Sequence, residues 1–315
     1  MMTSHRIILD TDLAMGAPGS DIDDGFALAL AAASPEISIE LITTVDGNTD
    51  VRSATGLTLN LLRKLGLDVP VVRGASAPVM NPWKRREVAV DLAGLPTFDD
   101  IPFAAQAIVD LVMSNPGEIT LVPIGPLTNI ATAMLIEPRV ADNAKEIVIM
   151  GGYFFGQQNN VEVPGEFNIW ADPEAAHIVL QSGAQLRFVG LDVTYRVRMD
   201  QEQARGLANS SGEFGKFAGA CGLAWIETLR TRYPHSKTHG SFHLHDPLAI
   251  AAVTHPDLIE WQPAHVTVAL DGVARGITIA DTLGTHGAPA ANCLIARDVD
   301  APGFVNHFIE RVARL

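Results

Sequence analysis

Short apolar runs alternate along the chain with longer stretches whose apolar positions recur every three or four residues. Residues 6–10 (RIILD) predict a short buried strand, and 23–34 (DDGFALALAAAS) predict a helix rich in Ala and Leu. The strand-like run at 37–45 is followed by a helix-like stretch at 55–65. Further short strands are expected at Val71–Arg73, 119–124, Glu146–Met150 and Leu186–Val189. Helices at Ala104–Ser114 and Pro173–Gln181 fall between several of them. Near the C-terminal end, 265–270 and 276–279 predict a hairpin or an edge pair. Such alternation predicts an α/β fold: a mostly parallel central sheet, Rossmann-like, with helices on both faces. No repeat and no Pro/Gly/Ser-rich linker divides the chain, so residues 1–315 are expected to form a single domain.

In sheets of this kind ligands bind beyond the C-terminal ends of the strands. The residues expected there are Asp10-Thr11-Asp12, Asp46-Gly47-Asn48, GPLTN at 125–129 and Gly151-Gly152, a polar and glycine-rich set.

Composition narrows the function classes. With 47% hydrophobic and 18% charged residues, the 315-residue chain is globular and buries a large core. Its net charge of −14 and the lack of any Lys/Arg block oppose nucleic-acid binding. Cys221 and Cys293 stand far apart, outside any metal-ligand spacing, and fit a reduced, cytoplasmic protein. The N-terminal residues run straight into a strand without a signal-peptide pattern. No stretch reaches the roughly 20 apolar residues of a membrane span.

Part of the negative charge is concentrated. Asp10, Asp12, Asp21, Asp23 and Asp24 fall within fifteen residues, the first two after a strand and the last two opening a helix. Crowded carboxylates repel unless a positive charge sits among them. A helix N-terminus supplies only about half a charge. A hard divalent cation, Ca²⁺ or Mg²⁺, suits all-oxygen ligands. The plainer reading is helix capping by Ser20 or Asp21 with solvated turn aspartates. Further along, FHLHDP at 242–247 places His245 and Asp246 before an apolar, helix-like run. Asp246 there reads either as an N-cap, with Pro247 at the first helical position, or as a ligand. NVEVPGEFN at 160–168 offers Asn160, Glu166 and Asn168 as hydrogen-bond partners for a polyhydroxylated sugar. A zinc helix built on His235 and His239 is disfavoured, because Pro234 and Gly240 break the stretch.

The ordered segments ILDTD with DIDDGFALALA, ITTVDGN, LVPIGPLTNIATA, IVIMGG, NNVEVPGEFNIWADPEAAHIV, VGLDVT, HDPLAIA and GITIAD span nearly the whole chain. In them the protein resembles the inosine–uridine nucleoside hydrolase family. That resemblance implies calcium-dependent hydrolysis of the N-glycosidic bond of ribonucleosides through an oxocarbenium-like transition state. It implies that Asp12, Asp24, Asp246 and the backbone carbonyl of Ile124 bind Ca²⁺, and that Asp12 also activates the attacking water. It assigns Asp23, Asn48, Met150, Asn160, Glu166 and Asn168 to the ribose, and makes His245 a candidate acid for the leaving base. It also implies a homodimer or homotetramer, and gives Asp10 a structural part.

The chain departs from the family pattern in three places. Ten residues, 13–22, separate Asp12 from Asp23 where the family has only a few. This insert carries Gly16, Gly19 and the extra carboxylate Asp21, and is expected to lie over the site and close on ligand. Asp46 stands where the family has a small or apolar residue, and Val90 replaces a family histidine in a glycine-rich segment, so the preferred base is not fixed. Two other functions were weighed. One is a non-catalytic nucleoside- or sugar-binding protein of the same fold, which would not need Asp12 as a base. The other is a Mg²⁺-dependent DxD phosphatase with Asp10 as nucleophile, which leaves NVEVPGEFN unused.

Overall fold

The computed structural model describes residues 4–80, 90, 95–96, 103–156, 162–235 and 240–315. Its first strand, β1 (His5–Thr11), has no open face: Ile7 and Leu9 join one apolar cluster and Ile8 the other, all three fully buried. The same division runs through the strands that follow. Helix α1 (Asp23–Ala32) leads to β2 (Ile37–Thr44), α2 (Val51–Leu65) and β3 (Val71–Arg73). After these come α3 (Ala104–Ser114), β4 (Ile119–Pro123), α4 (Thr128–Ile136), α5 (Val140–Asn143) and β5 (Glu146–Met150). Next are α6 (Phe167–Ala171), α7 (Pro173–Gln181), β6 (Leu186–Val189), α8 (Leu191–Thr194), β7 (Arg198–Asp200), α9 (Gln201–Ala208) and α10 (Glu213–Arg232). The chain ends with β8 (Ser241–His243), α11 (His245–Thr254), β9 (Ile259–Val268), β10 (Thr278–Asp281), β11 (Cys293–Val299) and α12 (Ala301–Val312).

The large sheet runs β3-β2-β1-β4-β5-β6-β11-β9-β10, and β7 and β8 pair separately. It is parallel from β3 to β11, while β9 runs antiparallel to β11 and β10. The strand order reverses at β1, which has β2 on one side and β4 on the other. Such a switch point opens a crevice at the C-terminal strand ends. β1 ends there in Asp10, Thr11 and Asp12, and β4 leads into Ile124. The expected hairpin is present as the β9–β10 pair, with β9 starting earlier, at Ile259.

Two helices are apolar all round, as fully enclosed helices are. α1 is buried from Asp23 to Ala31, and α11 from Asp246 to Val253. They pack together, and both begin at the crevice. Neither start follows the capping expected from sequence. The N-cap of α1 is Ile22, without a side-chain cap, and Ser20 instead donates to the Asn48 carbonyl. α11 begins at His245, two residues early, with Leu244 as N-cap, so Asp246 lies inside the first turn. The insert is packed into the fold. Leu13, Met15 and Ile22 are buried in the core, and only Gly16 and Pro18 are exposed. Among the described residues, no helix is long and apolar enough to cross a membrane.

Candidate active site

Four aspartates meet at the crevice, brought by three elements: Asp12 follows β1, Asp23 and Asp24 open α1, and Asp246 opens α11. All are buried, at 4% exposure or less. Carboxylate oxygens of Asp23, Asp24 and Asp246 lie within 4.8 Å of one another. Asp12 stands beside them: its Oδ2 accepts from the Asn48 amide at 2.6 Å, and the Asn48 side chain donates to Asp24 Oδ2 at 3.2 Å. Thr11 Oγ1 holds the other Asp24 oxygen, and Asp23 Oδ2 accepts from the Asp246 amide at 3.0 Å. Of the residues expected to share a cation, Asp24 and Asp246 therefore converge. The third carboxylate in that group is Asp23, which was expected at the ribose.

The electrostatics call for a positive charge. Burial pushes Asp12, Asp23 and Asp246 well above the usual carboxylate range, and mutual repulsion pushes further. Asp24 is raised to about 6, chiefly by burial. No lysine or arginine among the described residues forms a salt bridge with any of the four. Asp12 Oδ1 is buried with no hydrogen-bond partner. An orphaned carboxylate oxygen inside an acidic, all-oxygen pocket is the donor set of a hard cation.

The cradle of Asp12 is built from glycines. A Cβ on Gly47 would fall 2.0 Å from Asp12 Oδ2, and one on Gly125 would fall 3.0 Å from Oδ1. Asp10 is shut beneath. Its Oδ1 accepts from Thr43 Oγ1 at 2.5 Å and Asn129 Nδ2 at 2.7 Å, and burial raises it to about 7. A sealed carboxyl with fixed donors supports Asp12 and does not fit a phosphatase nucleophile. Asn129 also reaches the Thr44 carbonyl and the Ala75 amide, tying β1, β2 and the segment after β3 together.

On the other side of the crevice lies the expected sugar wall. Glu166 caps α6, accepting from the amides of Asn168 (2.8 Å), Ile169 (3.0 Å) and Gly152 (3.2 Å). Burial still raises it to about 7. Asn168 Nδ2 spans the carbonyls of Ile124 at 2.9 Å and Met150 at 3.2 Å. Glu166, Asn168, Met150 and Ile124 thus come together, while Asn48 is held at the aspartates. Asn160 lies outside the described residues.

His245 sits next to Asp246 in a part-buried aromatic corner. Its Nδ1 is 2.7 Å from Thr194 Oγ1, and its ring packs at 5.6 Å from Tyr195 and 5.0 Å from His243. His243 Nε2 is 3.0 Å from Arg198 Nη1. Burial, then Arg198, lowers His245 to about 3; burial, then His245 and Arg198, lowers His243 to about 2. His235 is exposed, and His239 lies outside the described residues. A cleft of about 640 Å³ opens beyond this corner, lined by Tyr153, Tyr195, Asp192 and Arg297 among others.

The sequence reading missed Thr11, Thr43, Asn129 and Thr194, which support the site residues. Thr11 and Asn129 lay in the Asp10-Thr11-Asp12 and GPLTN segments already placed at strand ends; Thr43 and Thr194 carry no such signal.

A family model described as inosine-uridine preferring nucleoside hydrolase matches residues 7–306. The chain is 36% identical over 316 residues to the non-specific ribonucleoside hydrolase RihC of Klebsiella pneumoniae (strain 342), covering 98% of each. A solved plant nucleoside hydrolase superposes with a TM-score of 0.88 at 30% identity, covering 99% of each chain. A purine-preferring ribonucleoside hydrolase from Gardnerella vaginalis gives 0.83 at 30% identity, covering 98% of each.

Proposed function

Because the chain belongs to the inosine-uridine preferring nucleoside hydrolase family, we propose that it hydrolyses the N-glycosidic bond of ribonucleosides, releasing ribose and free base. The observation that carries this reading at the site is the orphaned Asp12 Oδ1 within a closed set of buried carboxylates. That set fits Ca²⁺, and we assign Asp12, Asp24, Asp246 and the Ile124 carbonyl to hold it. When bound, the cation supplies the missing positive charge and makes water at the site more acidic. We keep Asp23 with the ribose, as the family resemblance implies, within reach of the cation site formed with Asp24 and Asp246.

Each residue then has a task. Asp12, held by the Asn48 amide, takes the proton of the attacking water. Asp23, Asn48, Glu166 and Asn168 orient the ribose hydroxyls, Asn160 joins them, and Met150 lines the sugar site. As the base departs, positive charge grows on the sugar, and the buried carboxylates are already placed to stabilise it. His245 is neutral in the free protein, so serving as leaving-base acid requires substrate binding to raise it from about 3. The protein acts in the cytoplasm as a homodimer or homotetramer in this reading, which light scattering checks.

Incubation with a panel of ribonucleosides, with free ribose as readout and with chelator controls, tests the proposal. Ribose release that stops on chelation and returns with Ca²⁺ is expected. Binding of nucleosides with no ribose release would make this a non-catalytic binding protein.

A further inference from the structure

The insert between β1 and α1 carries two charged contacts that the assignments above leave without a task. Apart from its buried apolar residues, it is held at both ends of residues 19–20. Ser20 Oγ donates to the Asn48 carbonyl at 3.1 Å, and the Gly19 carbonyl accepts from Arg232 Nη2 at 2.6 Å. Arg232 is the last residue of α10, and its guanidinium lies 5.2 Å from the Trp225 ring. Further up α10, Phe217 meets the turn at Gly16: a Cβ there would stand 3.3 Å from the Phe217 ring, at a φ of +101°. Cys221 is bonded by the Gly16 amide. Positions 217, 221 and 225 are four apart, so one face of α10 lies along the insert.

Asp21 completes the path. Its Oδ1 accepts from the Ile22 amide at 2.8 Å, its carboxyl is in hydrogen-bonding contact with that of Asp23, and Arg232 is the cation nearby. Asp23 in turn accepts from the Asp246 amide. A hydrogen-bonded route therefore leads from Arg232 through Gly19 and Ser20 to Asn48, and the charge of Arg232 also acts on Asp21, which meets Asp23.

We propose that Arg232 is a positioning residue for the ribose, acting through the insert on Asp23 and Asn48. The inference rests on the hydrolase reading, which places those two residues at the sugar. A guanidinium suits the task because it donates to the Gly19 carbonyl while its charge acts on the nearby Asp21 carboxylate. Methionine keeps the packing on Trp225 but donates nothing. Lysine keeps the charge and a donor for Gly19.

The test uses the full chain loaded with Ca²⁺ and two readouts: uridine kinetics, and D-ribose affinity by ligand-observed NMR. Arg232→Met should raise KM about tenfold and weaken ribose binding by a similar factor, with kcat within about twofold, since ground and transition states lose the same contact. Arg232→Lys should restore most of the loss, and Asp21→Asn should move KM in the same direction as Arg232→Met. Thermal midpoints on the same samples separate a mere strut: a lowered midpoint with unchanged KM and ribose affinity in Arg232→Met overturns the inference. If that variant does not fold, unchanged KM in Asp21→Asn overturns it instead. Wild-type protein that binds ribose but cleaves no nucleoside sinks the hydrolase reading, and the ribose affinities of the variants still decide this one.

Discussion

The floor of the site, where Asp12, Asp23, Asp24 and Asp246 converge, is buried, and the wall beside it, where His243 and His245 pack on Tyr195, is part-buried; the two treat charge oppositely. The floor gathers carboxylates with no counter-charge among the described residues, and each is pushed toward its protonated form. The wall gathers imidazoles next to an arginine, and both are pushed toward their neutral form. The same desolvation acts on both, because burial penalises whichever form is charged. The difference lies in what can relieve it. A cation relieves the floor at once. No cation relieves the wall, so it stays neutral until something anionic or hydrogen-bonding arrives. On this reading the floor is completed by a metal and the wall by the substrate.

The floor side of that contrast is broken most severely by Asp24→Ala. Asp24 is fixed by Thr11 and Asn48 and faces both Asp12 and Asp246. Its loss should remove the bound divalent ion, measured by metal analysis of the purified protein. With it should go water activation, a fall of about 10⁴ or more in kcat/KM. Active wild-type protein containing no divalent ion would end the contrast outright.

The wall side is broken by His245→Ala. If His245 gains a proton when substrate binds, inosine and uridine should slow by about 10²–10⁴, the worth of a positioned acid. p-Nitrophenyl riboside leaves as a stable phenolate and should be nearly unaffected. An equal loss on both substrate types at saturating calcium would mean that His245 serves its neighbour Asp246, and the wall would then be an extension of the floor.

How much of this was legible in the sequence depends on the range of the interaction. The carboxylates were readable because the DxD and DIDD spacings put them at one strand end and one helix start. Asp246 was readable because HDP precedes an apolar run, although of its two readings the N-cap one fails: α11 starts at His245, two residues before Pro247. The orphaned Asp12 oxygen was not readable, since it depends on Gly47 and Gly125 letting two loops close over it. The depth of the insert was not readable because Gly and Pro suggest a loose loop, while Leu13, Met15 and Ile22 supply enough apolar surface to bury it. The start of β9 was missed because Pro263 interrupts the strand pattern of an edge region.

A smaller loss should come from the sugar. Asp23 and the cation would both address the ribose hydroxyls, so a 2′-deoxynucleoside leaves buried polar groups unpaired. That costs about 1–3 kcal/mol, on the order of 10- to 100-fold in kcat/KM. Equal kcat/KM on uridine and deoxyuridine would detach the floor from sugar recognition and leave it a metal site alone.

The smallest effect, a shift of a few degrees in thermal midpoint, tests the contrast without any substrate. On the floor, folded pKa values lie above those of the unfolded chain. From about pH 4 upward the folded, metal-free protein therefore holds protons that the unfolded chain has lost. Stability contributed by the floor is present below pH 4 and falls as pH rises, with Asp24 passing its midpoint at about 6. On the wall the folded values, about 2 and 3, lie below the ordinary 6.5. There the unfolded chain takes up protons first as pH falls, so the wall's contribution is present above 6.5 and is lost toward acid. The two slopes have opposite signs. Saturating Ca²⁺ should hold the floor carboxylates ionised and stabilise the protein most at neutral pH, where the metal-free floor is worst off. The midpoint difference between calcium-loaded and chelated protein should therefore widen steadily from pH 5 to pH 7.5. His245→Ala, which does not touch the floor carboxylates' need for a cation, should leave that widening in place while flattening the acid limb of the loaded protein. A calcium-induced difference that is constant across this range would mean that the floor carboxylates are already ionised without metal, and the opposition between floor and wall would fail at its root.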